Sequence, residues 1–243
     1  MPVMTPHSEL LPEPLPADPL PILEGWMAEA LRRRDQPNPN AMVLATAGPD
    51  PTAGGGESDP ADRLSARVVL CKKIVPDPGY VVFYTNYLSR KGRQLTRHPR
   101  AAAVIHWDHL HRQVRIEGPV VRGPAADSDA YFASRPWQSR LGAWASAQSQ
   151  PVASRSQLKD SLLDAARRFG TPSPDTAGAE SAGNIPVPRP PHWGGYQLWI
   201  ESVELWVEGE ARIHDRARWT RTLPARQDGA FEPGTWTATR LQP

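Results

Sequence analysis

The chain has 243 residues, and 28 Lys and Arg against 26 Asp and Glu leave a net charge of +2, which gives no general case for nucleic-acid binding. A single cysteine, Cys71, excludes an internal disulfide framework and fits a reducing cytoplasm. No apolar run approaches membrane-spanning length, and the first residues do not read as a secretory signal, so we expect a cytoplasmic protein without a membrane partner.

The 28 prolines cluster at the N-terminus and between residues 171 and 191. Segments of this composition rarely form a packed core. We therefore expect residues 1–18 to be a disordered Pro-rich tail and residues 19–243 to form a single domain. Two long connections, at about 47–63 and about 170–192, are predicted to be flexible insertions in that domain.

The predicted elements alternate short strands with a few helices. Patterns of period two indicate strands, and apolar stripes behind a capping Ser or Asp indicate helices. In chain order we predict a helix at 18–34, strands at 41–46, 65–75 and 80–85, a helix at 89–97, strands at 101–107 and 112–122, helices at 127–134 and 154–169, and strands at 196–206, 211–220 and 236–241. Sequential antiparallel strands with flanking helices predict a mainly β (α+β) fold, a closed or split antiparallel β-barrel.

The segment from Arg67 to Lys72 places a cation at each end of an apolar strand. Such a strand suits a planar ring lying along it with anionic groups at both ends; two ordinary strand-end charges are the alternative. Cys71, among apolar neighbours, is expected to be an inert core thiol rather than a nucleophile. One face of the strand carries Arg67, Val69 and Cys71, and the other carries Val68, Leu70 and Lys72.

A second segment joins the end of a predicted strand, at Tyr84 and Thr85, to a helix that starts at Ser89. Amides at a helix N-terminus carry partial positive charge and bind phosphate well. With Arg90 and Lys91 they can form a cradle for an anion, although a capped surface helix explains the same pattern.

A third segment has Tyr131, Arg135 and Ser139 at a spacing of four residues, which can close on a second phosphate. Four histidines between residues 98 and 111 do not match a zinc-binding spacing, so no metal site is predicted. Neutral side chains that suit the edge of a heterocycle are Gln113, Gln148 and the adjacent Ser149.

Near the C-terminus, a predicted strand carries Arg212, His214 and Arg216 on one face, because side chains alternate along a strand. Two guanidinium groups beside an imidazole make an anion-binding face that includes a proton-transfer group. The ordinary charged face of a surface strand is the alternative.

A series of sequence blocks, which occur in the same order along the chain as in a known family, connects these segments to that family. They are Arg67-Val-Val-Leu-Cys-Lys72, Phe83-Tyr-Thr-Asn, Ser89-Arg-Lys-Gly92, Arg112-Gln-Val-Arg-Ile-Glu-Gly118, Ser134-Arg-Pro, Gly142-Ala-Trp-Ala-Ser, Gln148-Ser149, Trp193-Gly-Gly195, Arg212-Ile-His-Asp-Arg216 and Arg240-Leu-Gln-Pro243. Over roughly residues 19–46 and 64–243 the chain resembles the pyridoxine/pyridoxamine 5′-phosphate oxidase family. The resemblance implies an FMN-binding split barrel that works as a homodimer, with FMN held at the subunit interface.

The resemblance also implies a role for each block. FMN would be held by Arg67, Val68, Val69, Leu70, Cys71, Lys72, Tyr84, Thr85, Arg90, Lys91, Gln113, Gln148, Ser149, Trp206 and Arg216. The substrate phosphate would be held by Lys72, Tyr131, Arg135 and Ser139. Arg212 and His214 would lie against the substrate ring as the catalytic pair.

The implied reaction oxidises pyridoxamine 5′-phosphate or pyridoxine 5′-phosphate to pyridoxal 5′-phosphate and reduces O2 to H2O2. One alternative is a related flavin oxidase of another aromatic substrate, of the phenazine-biosynthesis type. The other is a non-catalytic protein that binds flavin or a B6 phosphate. The substrate-phosphate residues favour a phosphorylated substrate, and the presence of both Arg212 and His214 argues against a non-catalytic role.

Three departures from the family surround the expected substrate site. The first 31 residues contain no Lys, Arg or Tyr, so the basic, tyrosine-containing N-terminal segment of the family is missing or replaced. Val207-Glu208 stands where Gln-Gly is common, and Arg140 stands where Gln is common. Because of these changes, the resemblance defines the cofactor more closely than the substrate.

Overall fold

A computed structural model describes residues 9–48, 63–173, 185–227 and 229–243, so most of the two predicted insertions lies outside the described residues. The helices are α1 (Leu20–Arg33), α2 (Arg90–Arg97), α3 (Ala125–Ser134), α4 (Trp137–Ala145) and α5 (Arg155–Phe169). The strands are β1 (Ala41–Ala47), β2 (Leu64–Leu70), β3 (Lys73–Val75), β4 (Tyr80–Asn86), β5 (Arg100–Trp107), β6 (Arg112–Arg122), β7 (Trp193–Trp199), β8 (Ser202–Val207), β9 (Asp215–Thr220) and β10 (Thr237–Arg240).

Antiparallel pairing closes the sheet into a barrel. Strand β1 pairs with β2, which leads through Cys71 and Lys72 into β3, and β3 pairs with β4. Pairing then continues from β4 through β7, β6 and β5 back to β1. The long strand β6 is the fork: its first half also pairs with β8, and β8, β9 and β10 extend the sheet beyond the barrel. The predicted mainly β, antiparallel split barrel with flanking helices is therefore confirmed.

The side chains on the inward-facing positions of the alternating strands fill the barrel interior. Leu44, Phe83, Ile105, Val114 and Leu205 are fully buried, and each such side chain contributes roughly 1.5–3 kcal/mol relative to an exposed position. The residues between them face outwards, which is the pattern that period-two strands produce when one face packs on a core. The alternation that predicted the strands therefore also determines which side chains remain on the outer face.

That outer face is apolar across its middle. The register aligns Val68, Val43 and Val104 in one row across β2, β1 and β5. Val68 is 64% exposed and Val43 is 43% exposed. Exposed branched residues side by side on a sheet are typical of a surface that another chain covers.

The described part of the predicted disordered tail, residues 9–18, is ordered, which corrects the prediction for these residues; residues 1–8 lie outside the described residues. Leu11 is buried, and its amide donates to Asp215 Oδ2 over 2.8 Å. The indole of Trp219 donates to the Pro16 carbonyl over 2.8 Å. Residues 9–18 are therefore held against β9, because the burial of Leu11 and these two hydrogen bonds offset entropy that a proline-rich segment loses on ordering.

Several elements also differ from the predictions. The strand predicted at 65–75 bends at Cys71 and Lys72, and the one predicted at 196–206 is interrupted after Trp199. Helix α4 was not predicted. It begins at Trp137, directly after Pro136, which occupies the N-cap position. Strand β9 begins only at Asp215.

In the described ranges, no helix has the length and apolar character needed to cross a membrane. Helices α4 and α5 instead pack on each other around a small separate core that includes Trp137, Leu141 and Ala166. Leu158, an apolar residue of α5, is 51% exposed. The helices thus form a wall beside the barrel, and α4 lies next to the candidate site.

Candidate active site

One groove collects most of the predicted site residues. It has a volume of about 930 Å³, which is at the upper end of the range for small-molecule sites. Strands β2 and β4 form its floor, and α2, α3, α4 and the segment after α4 form its walls. The predicted residues that line it are Arg67, Val68, Val69, Leu70, Lys72, Tyr84, Thr85, Arg90, Lys91, Tyr131, Arg135, Ser139, Gln148 and Ser149.

The first anion site of the groove is a cluster of three cations, Arg67, Arg90 and Lys91. Burial, together with the positive charge of Arg90, lowers the pKa of Arg67. Burial, together with the charge of Arg67, lowers the pKa of Lys91 to about 8. Among the described residues, no carboxylate forms an ion pair with Arg67 or Lys91, so these two cations lack a carboxylate counter-charge, which a bound anion would supply.

Neutral groups hold these cations in place. The Arg67 guanidinium donates to the Leu44 carbonyl and to Thr46 Oγ1, both over 2.8 Å, and to Ser65 Oγ. Lys91 Nζ donates to Gln148 Oε1 over 3.0 Å. Because none of these acceptors is charged, they do not neutralise the two cations, whose positive charge remains available to a ligand.

Helix α2 brings Lys91 to the groove through two local features. Ser89 caps the helix by accepting a hydrogen bond from the Gly92 amide over 3.3 Å, as predicted. Gly92 approaches the Tyr87 backbone so closely that a Cβ would lie 2.1 Å from its carbonyl oxygen. Ser89 itself is fully buried and does not line the groove, so its role is to cap the helix and to accept from Lys91 Nζ over 3.2 Å.

The second anion site is built around Arg135. Its guanidinium stacks over the Trp193 ring at 4.7 Å and over Phe132 at 5.3 Å. Its Nη1 is buried and has no hydrogen-bond partner within the described chain, and burial lowers the pKa of Arg135. A buried guanidinium N–H without an acceptor is costly, so this geometry favours a bound anion here too.

Aromatic rings separate the two cationic sites. Tyr84 stacks on Tyr131 with ring centroids 4.1 Å apart and on Trp193 at 5.5 Å. Lys72 Nζ lies 5.7 Å from the centre of the Tyr131 ring. The residues predicted to bind the second phosphate thus line the same groove as the first anion site; they are Lys72, Tyr131, Arg135 and Ser139.

Five predicted residues lie elsewhere. Gln113 pairs with Trp206, and Trp206 pairs with Arg216, in one row across the outer face of β6, β8 and β9. The His214 ring packs on Trp206 with centroids 4.7 Å apart. We call Gln113, Trp206, His214 and Arg216 the outer cluster. None of its members, nor Arg212, lines the groove of the same chain.

The common strand face predicted for Arg212, His214 and Arg216 is wrong. Residues Glu210–Arg212 form a 3-10 turn, and Arg212 is exposed with a φ of 64°. A Cβ on Gly209 would lie 1.8 Å from the Ile213 carbonyl oxygen, so the turn folds back too tightly for a strand. Only Arg216 keeps its strand position, where Nε and Nη2 donate to Glu204 Oε1 over 3.0 and 2.8 Å.

Cys71 also differs from its predicted role in cofactor binding. It is 4% exposed and does not line the groove. Burial raises the pKa of its thiol to about 12, which agrees with the interpretation as an inert core residue. Among the described residues, no group of three His, Cys, Asp or Glu side chains could hold a metal ion.

Two of the departures from the family pattern, at Val207-Glu208 and at Arg140, can be located in the structure. Val207 is fully buried in the core, and Glu208 contacts His111 Nδ1 across the turns that flank β6 and β8. Arg140 is buried on α4, and its charge contributes to lowering the pKa of Arg135. Arg140 therefore adds positive charge to the second anion site.

Sequence reasoning missed several groove residues. Trp193 was noted only as part of a family block, yet it stacks on Arg135 and lines the groove. Ser65 and Thr46, which hold Arg67, lie on strands whose polar positions looked ordinary. Their alternation with apolar neighbours was visible, but the contact with Arg67 depends on the pairing of β1 with β2.

Sequence comparisons agree with this geometry. A family profile described as "Pyridoxamine 5'-phosphate oxidase" matches residues 27–166, and one described as "Pyridoxine 5'-phosphate oxidase C-terminal dimerisation region" matches residues 193–243. A Burkholderia orbicola (strain MC0-3) protein named pyridoxine/pyridoxamine 5′-phosphate oxidase is 43% identical, over 93% of this chain and 89% of its own length. A protein of the same name from Rubrobacter xylanophilus is 44% identical, over 93% and 88%.

Solved structures also resemble the chain. PhzG from Burkholderia lata 383, crystallised in complex with tetrahydrophenazine-1-carboxylic acid, matches with a TM-score of 0.75 and 27% identity, over 98% of this chain and 99% of that chain. A pyridoxamine 5′-phosphate oxidase-related, FMN binding protein from Nostoc punctiforme matches with a TM-score of 0.55 and 17% identity, over 90% and 96%, and so shares the fold.

Proposed function

The chain belongs to the pyridoxamine 5′-phosphate oxidase family, and we propose that it is an FMN-dependent oxidase of phosphorylated B6 vitamers. Its substrates would be pyridoxamine 5′-phosphate, pyridoxine 5′-phosphate or both, and its product pyridoxal 5′-phosphate. The observation that carries the proposal is the presence of two cationic sites, around Lys91 and around Arg135, in one groove. FMN and a phosphorylated pyridine together bring two phosphates.

The residues of the first site fit the phosphate of FMN. Arg67 and Lys91 are held by neutral acceptors and lack a carboxylate partner among the described residues, so a phosphate dianion would restore charge balance. Val68, Val69 and Leu70 continue along the floor of the groove from Arg67 and would carry the flavin ring. Thr85, Arg90, Gln148 and Ser149 complete the wall around the phosphate end.

The second site would take the substrate phosphate. Arg135 has an unpaired buried N–H, and Lys72, Tyr131 and Ser139 line the groove beside it. When bound, FMN would supply the two-electron oxidation of the substrate at C4′, with O2 as the final acceptor and H2O2 as its product; water would convert the imine formed from an amine substrate to the aldehyde and ammonia. The protein would fix both phosphates and thereby set the distance between the two rings.

Arg212 and His214 would act on the substrate ring. His214 Nδ1 accepts a hydrogen bond from the Gly209 amide over 3.2 Å, so the proton of the neutral imidazole lies on Nε2. Packing against Trp206 then fixes the plane of the ring. His214 Nε2 can donate to a ring substituent, and the exposed Arg212 guanidinium can orient and polarise the substrate.

A homodimer would reconcile the groove with the outer cluster. The C-terminal part of the chain, from β7 to β10, matches a dimerisation region. It carries Trp206, His214 and Arg216, which lie outside the groove of their own chain. The apolar row of Val68, Val43 and Val104 continues from the floor of the groove across β1 and β5 and would be covered in the dimer. We propose that the outer cluster of each protomer completes the groove of its partner, with FMN at the interface.

A second candidate is an oxidase of a non-phosphorylated aromatic substrate. The structural similarity to PhzG with a bound tetrahydrophenazine favours it, because that similarity covers nearly the whole chain. The two candidates differ in the anion that they offer to the unpaired N–H of Arg135: a phosphorylated substrate brings a phosphate dianion, whereas a phenazine carboxylic acid brings a single carboxylate.

Turnover under air tests the proposal. Purified protein loaded with FMN should form H2O2 and pyridoxal 5′-phosphate from pyridoxamine 5′-phosphate or pyridoxine 5′-phosphate. The dephosphorylated vitamers serve as the matched control and should react far more slowly. A protein that binds FMN but turns over neither phosphate ester would support the second candidate, and a protein that does not bind FMN would contradict both.

A further inference from the structure

We infer that Gln94 positions Arg67 and Lys91 to bind the phosphate of the flavin. It does so through the hydroxyl groups of Thr46 and Ser65, which take no part in the reaction itself. This inference rests on the proposed function and adds a positioning residue to it. Gln94 lies on α2, is fully buried, and does not line the groove. It acts on a ligand only through the residues that it holds.

The contacts form a closed network. Gln94 Oε1 accepts hydrogen bonds from Thr46 Oγ1 over 2.6 Å and from Ser65 Oγ over 2.8 Å. These two hydroxyl oxygens in turn accept from Arg67, Thr46 from Nη1 and Ser65 from Nη2. Because each hydroxyl proton points to Gln94, the oxygen lone pairs are left for the guanidinium. One amide oxygen thus orients both acceptors of Arg67.

The amide nitrogen of Gln94 fixes the other end of the side chain. Nε2 donates to the Gly48 carbonyl over 3.0 Å and to the Arg63 carbonyl over 3.3 Å. Those carbonyls flank the ends of β1 and β2. Gln94 is therefore tied to both strands at once and cannot rotate without breaking hydrogen bonds in a fully buried position.

Helix geometry couples this network to the second cation. Lys91 and Gln94 are three residues apart on α2, so their side chains lie on the same side of the helix. Arg67 belongs to β2, a different element. Gln94 is the direct side-chain connection between the helix that carries Lys91 and the hydroxyls that hold Arg67. Its position therefore sets the separation of the two cations.

The network is also neutral, which matters for binding. A carboxylate at position 94 would satisfy the same hydroxyls but would place a negative charge behind Arg67. Gln94 instead orients the guanidinium without neutralising it, so the attraction for a phosphate is retained. A purely structural role for Gln94 would stabilise α2 against the barrel and leave no specific effect on the phosphate.

Comparison of two flavins separates these roles. FMN and riboflavin differ only in the phosphate, and both are titrated into apo-protein by quenching of flavin fluorescence. The quantity measured is the ratio of the two dissociation constants, riboflavin over FMN. The variants are Gln94→Leu, Thr46→Val and the hydroxyl-retaining Thr46→Ser. Ser128→Ala is the matched control, because Ser128 is equally buried, donates to the Pro124 carbonyl and lies outside the groove.

We expect Gln94→Leu to lower the ratio about tenfold, the loss typical of one misplaced charge-assisted contact. Thr46→Val should lower it in the same direction, while Thr46→Ser and Ser128→Ala should leave it unchanged. Equal weakening of FMN and riboflavin by Gln94→Leu, or an unchanged ratio, would overturn the inference. If Gln94→Leu does not fold, the Thr46→Val and Thr46→Ser pair decides by the same ratio.

The wild-type ratio separates failure of this inference from failure of the proposed function. Wild-type protein that prefers FMN over riboflavin, with variants that keep the preference, would overturn the role of Gln94 alone. Wild-type protein that binds both flavins equally, or neither, would overturn the FMN site and the role of Gln94 with it.

Discussion

Lys91 Nζ donates a hydrogen bond to Gln148 Oε1 over 3.0 Å, joining the first turn of α2 to the segment that follows α4. Thr85 Oγ1 donates to the same amide oxygen over 3.4 Å. Burial and the nearby Arg67 lower the pKa of Lys91 to about 8, so part of its charge is lost in the apo-protein just above neutral pH. A bound phosphate dianion would restore that charge.

This pKa predicts a pH-dependent affinity for FMN. Above pH 8 the apo-protein has lost the Lys91 proton, and binding of the phosphate must take it up again. FMN affinity should therefore be constant below pH 8 and fall above it, by up to about tenfold per pH unit. Fluorescence titrations between pH 7 and pH 9.5 measure this dependence.

Lys91→Arg provides the control for that prediction, because a guanidinium stays charged throughout this pH range. The variant should bind FMN with an affinity that no longer falls above pH 8. Riboflavin, which has no phosphate, should show no such fall with either protein. An unchanged pH profile in Lys91→Arg would assign the titration to another group.

Arg135→Ala should impair substrate binding much more than cofactor binding. The Arg135 side chain contributes an unpaired N–H to the second anion site and lies apart from the cluster around Lys91. KM for pyridoxine 5′-phosphate should rise roughly 10- to 100-fold, the usual loss of a hydrogen bond to a charged group. The dissociation constant of FMN should change little.

Arg168→Ala is the matched control for Arg135→Ala. Arg168 also stacks on a tryptophan, Trp144, at 4.5 Å, but it lies on α5 and does not line the groove. It should leave both KM and the FMN dissociation constant unchanged. Equal damage by Arg135→Ala to FMN and to substrate binding would show that the two phosphate sites are wrongly assigned.

Leu11 and Leu10 give an internal comparison for the N-terminal segment. Leu11 is 5% exposed and Leu10 is 63% exposed. Leu11→Ala should lower the free energy of unfolding by about 2–3 kcal/mol, the lower part of the range for buried leucines. Leu10→Ala should stay within about 0.5 kcal/mol of the wild type. Urea denaturation of both variants measures the difference, and equal stabilities would show that residues 9–18 do not pack on the barrel in solution.

The Cys71 thiol should resist alkylation in the folded protein. Its pKa of about 12 leaves roughly one molecule in ten thousand as thiolate at pH 8. A thiol reagent at pH 8 should therefore label the native protein very slowly and the urea-unfolded protein rapidly, with one equivalent per chain. Rapid labelling of native protein would contradict the buried position of Cys71.

Local signals in the sequence were sufficient for several features. The cap at Ser89 was predicted because a serine at the start of a helix is a local pattern, and Ser89 accepts the expected hydrogen bond from the Gly92 amide. Strand β6 was predicted with its full range, Arg112–Arg122, because polar and apolar residues alternate from Gln113 to Glu117. These features depend on neighbours within a few residues.

Other features depend on contacts between distant segments. The turn that ends in Arg212 forms because Gly209 approaches the Ile213 carbonyl, and residues in that turn adopt positive φ values that no local pattern indicated. The order of residues 9–18 depends on Trp219 and Asp215, which lie about two hundred positions further along the chain. The division of the site into a groove and an outer cluster follows from strand pairing, which single-strand patterns do not specify.

The central claim is that the groove of one chain and the outer cluster of its partner together form a flavin oxidase site. It can be tested with a heterodimer purified through two different tags. One subunit carries Arg67→Ala in the groove, and the other carries Arg216→Ala in the outer cluster. Such a dimer has one intact site and one doubly altered site if the partners share their sites.

H2O2 formation from pyridoxine 5′-phosphate is the measurement. The heterodimer should bind one FMN and reach about half of the wild-type rate per dimer, although each homodimeric variant is nearly inactive. A heterodimer of Arg67→Ala with Lys91→Ala, both in the groove, is the control and should stay inactive. A heterodimer of Arg67→Ala with Arg216→Ala that is no more active than its two parents would contradict the account.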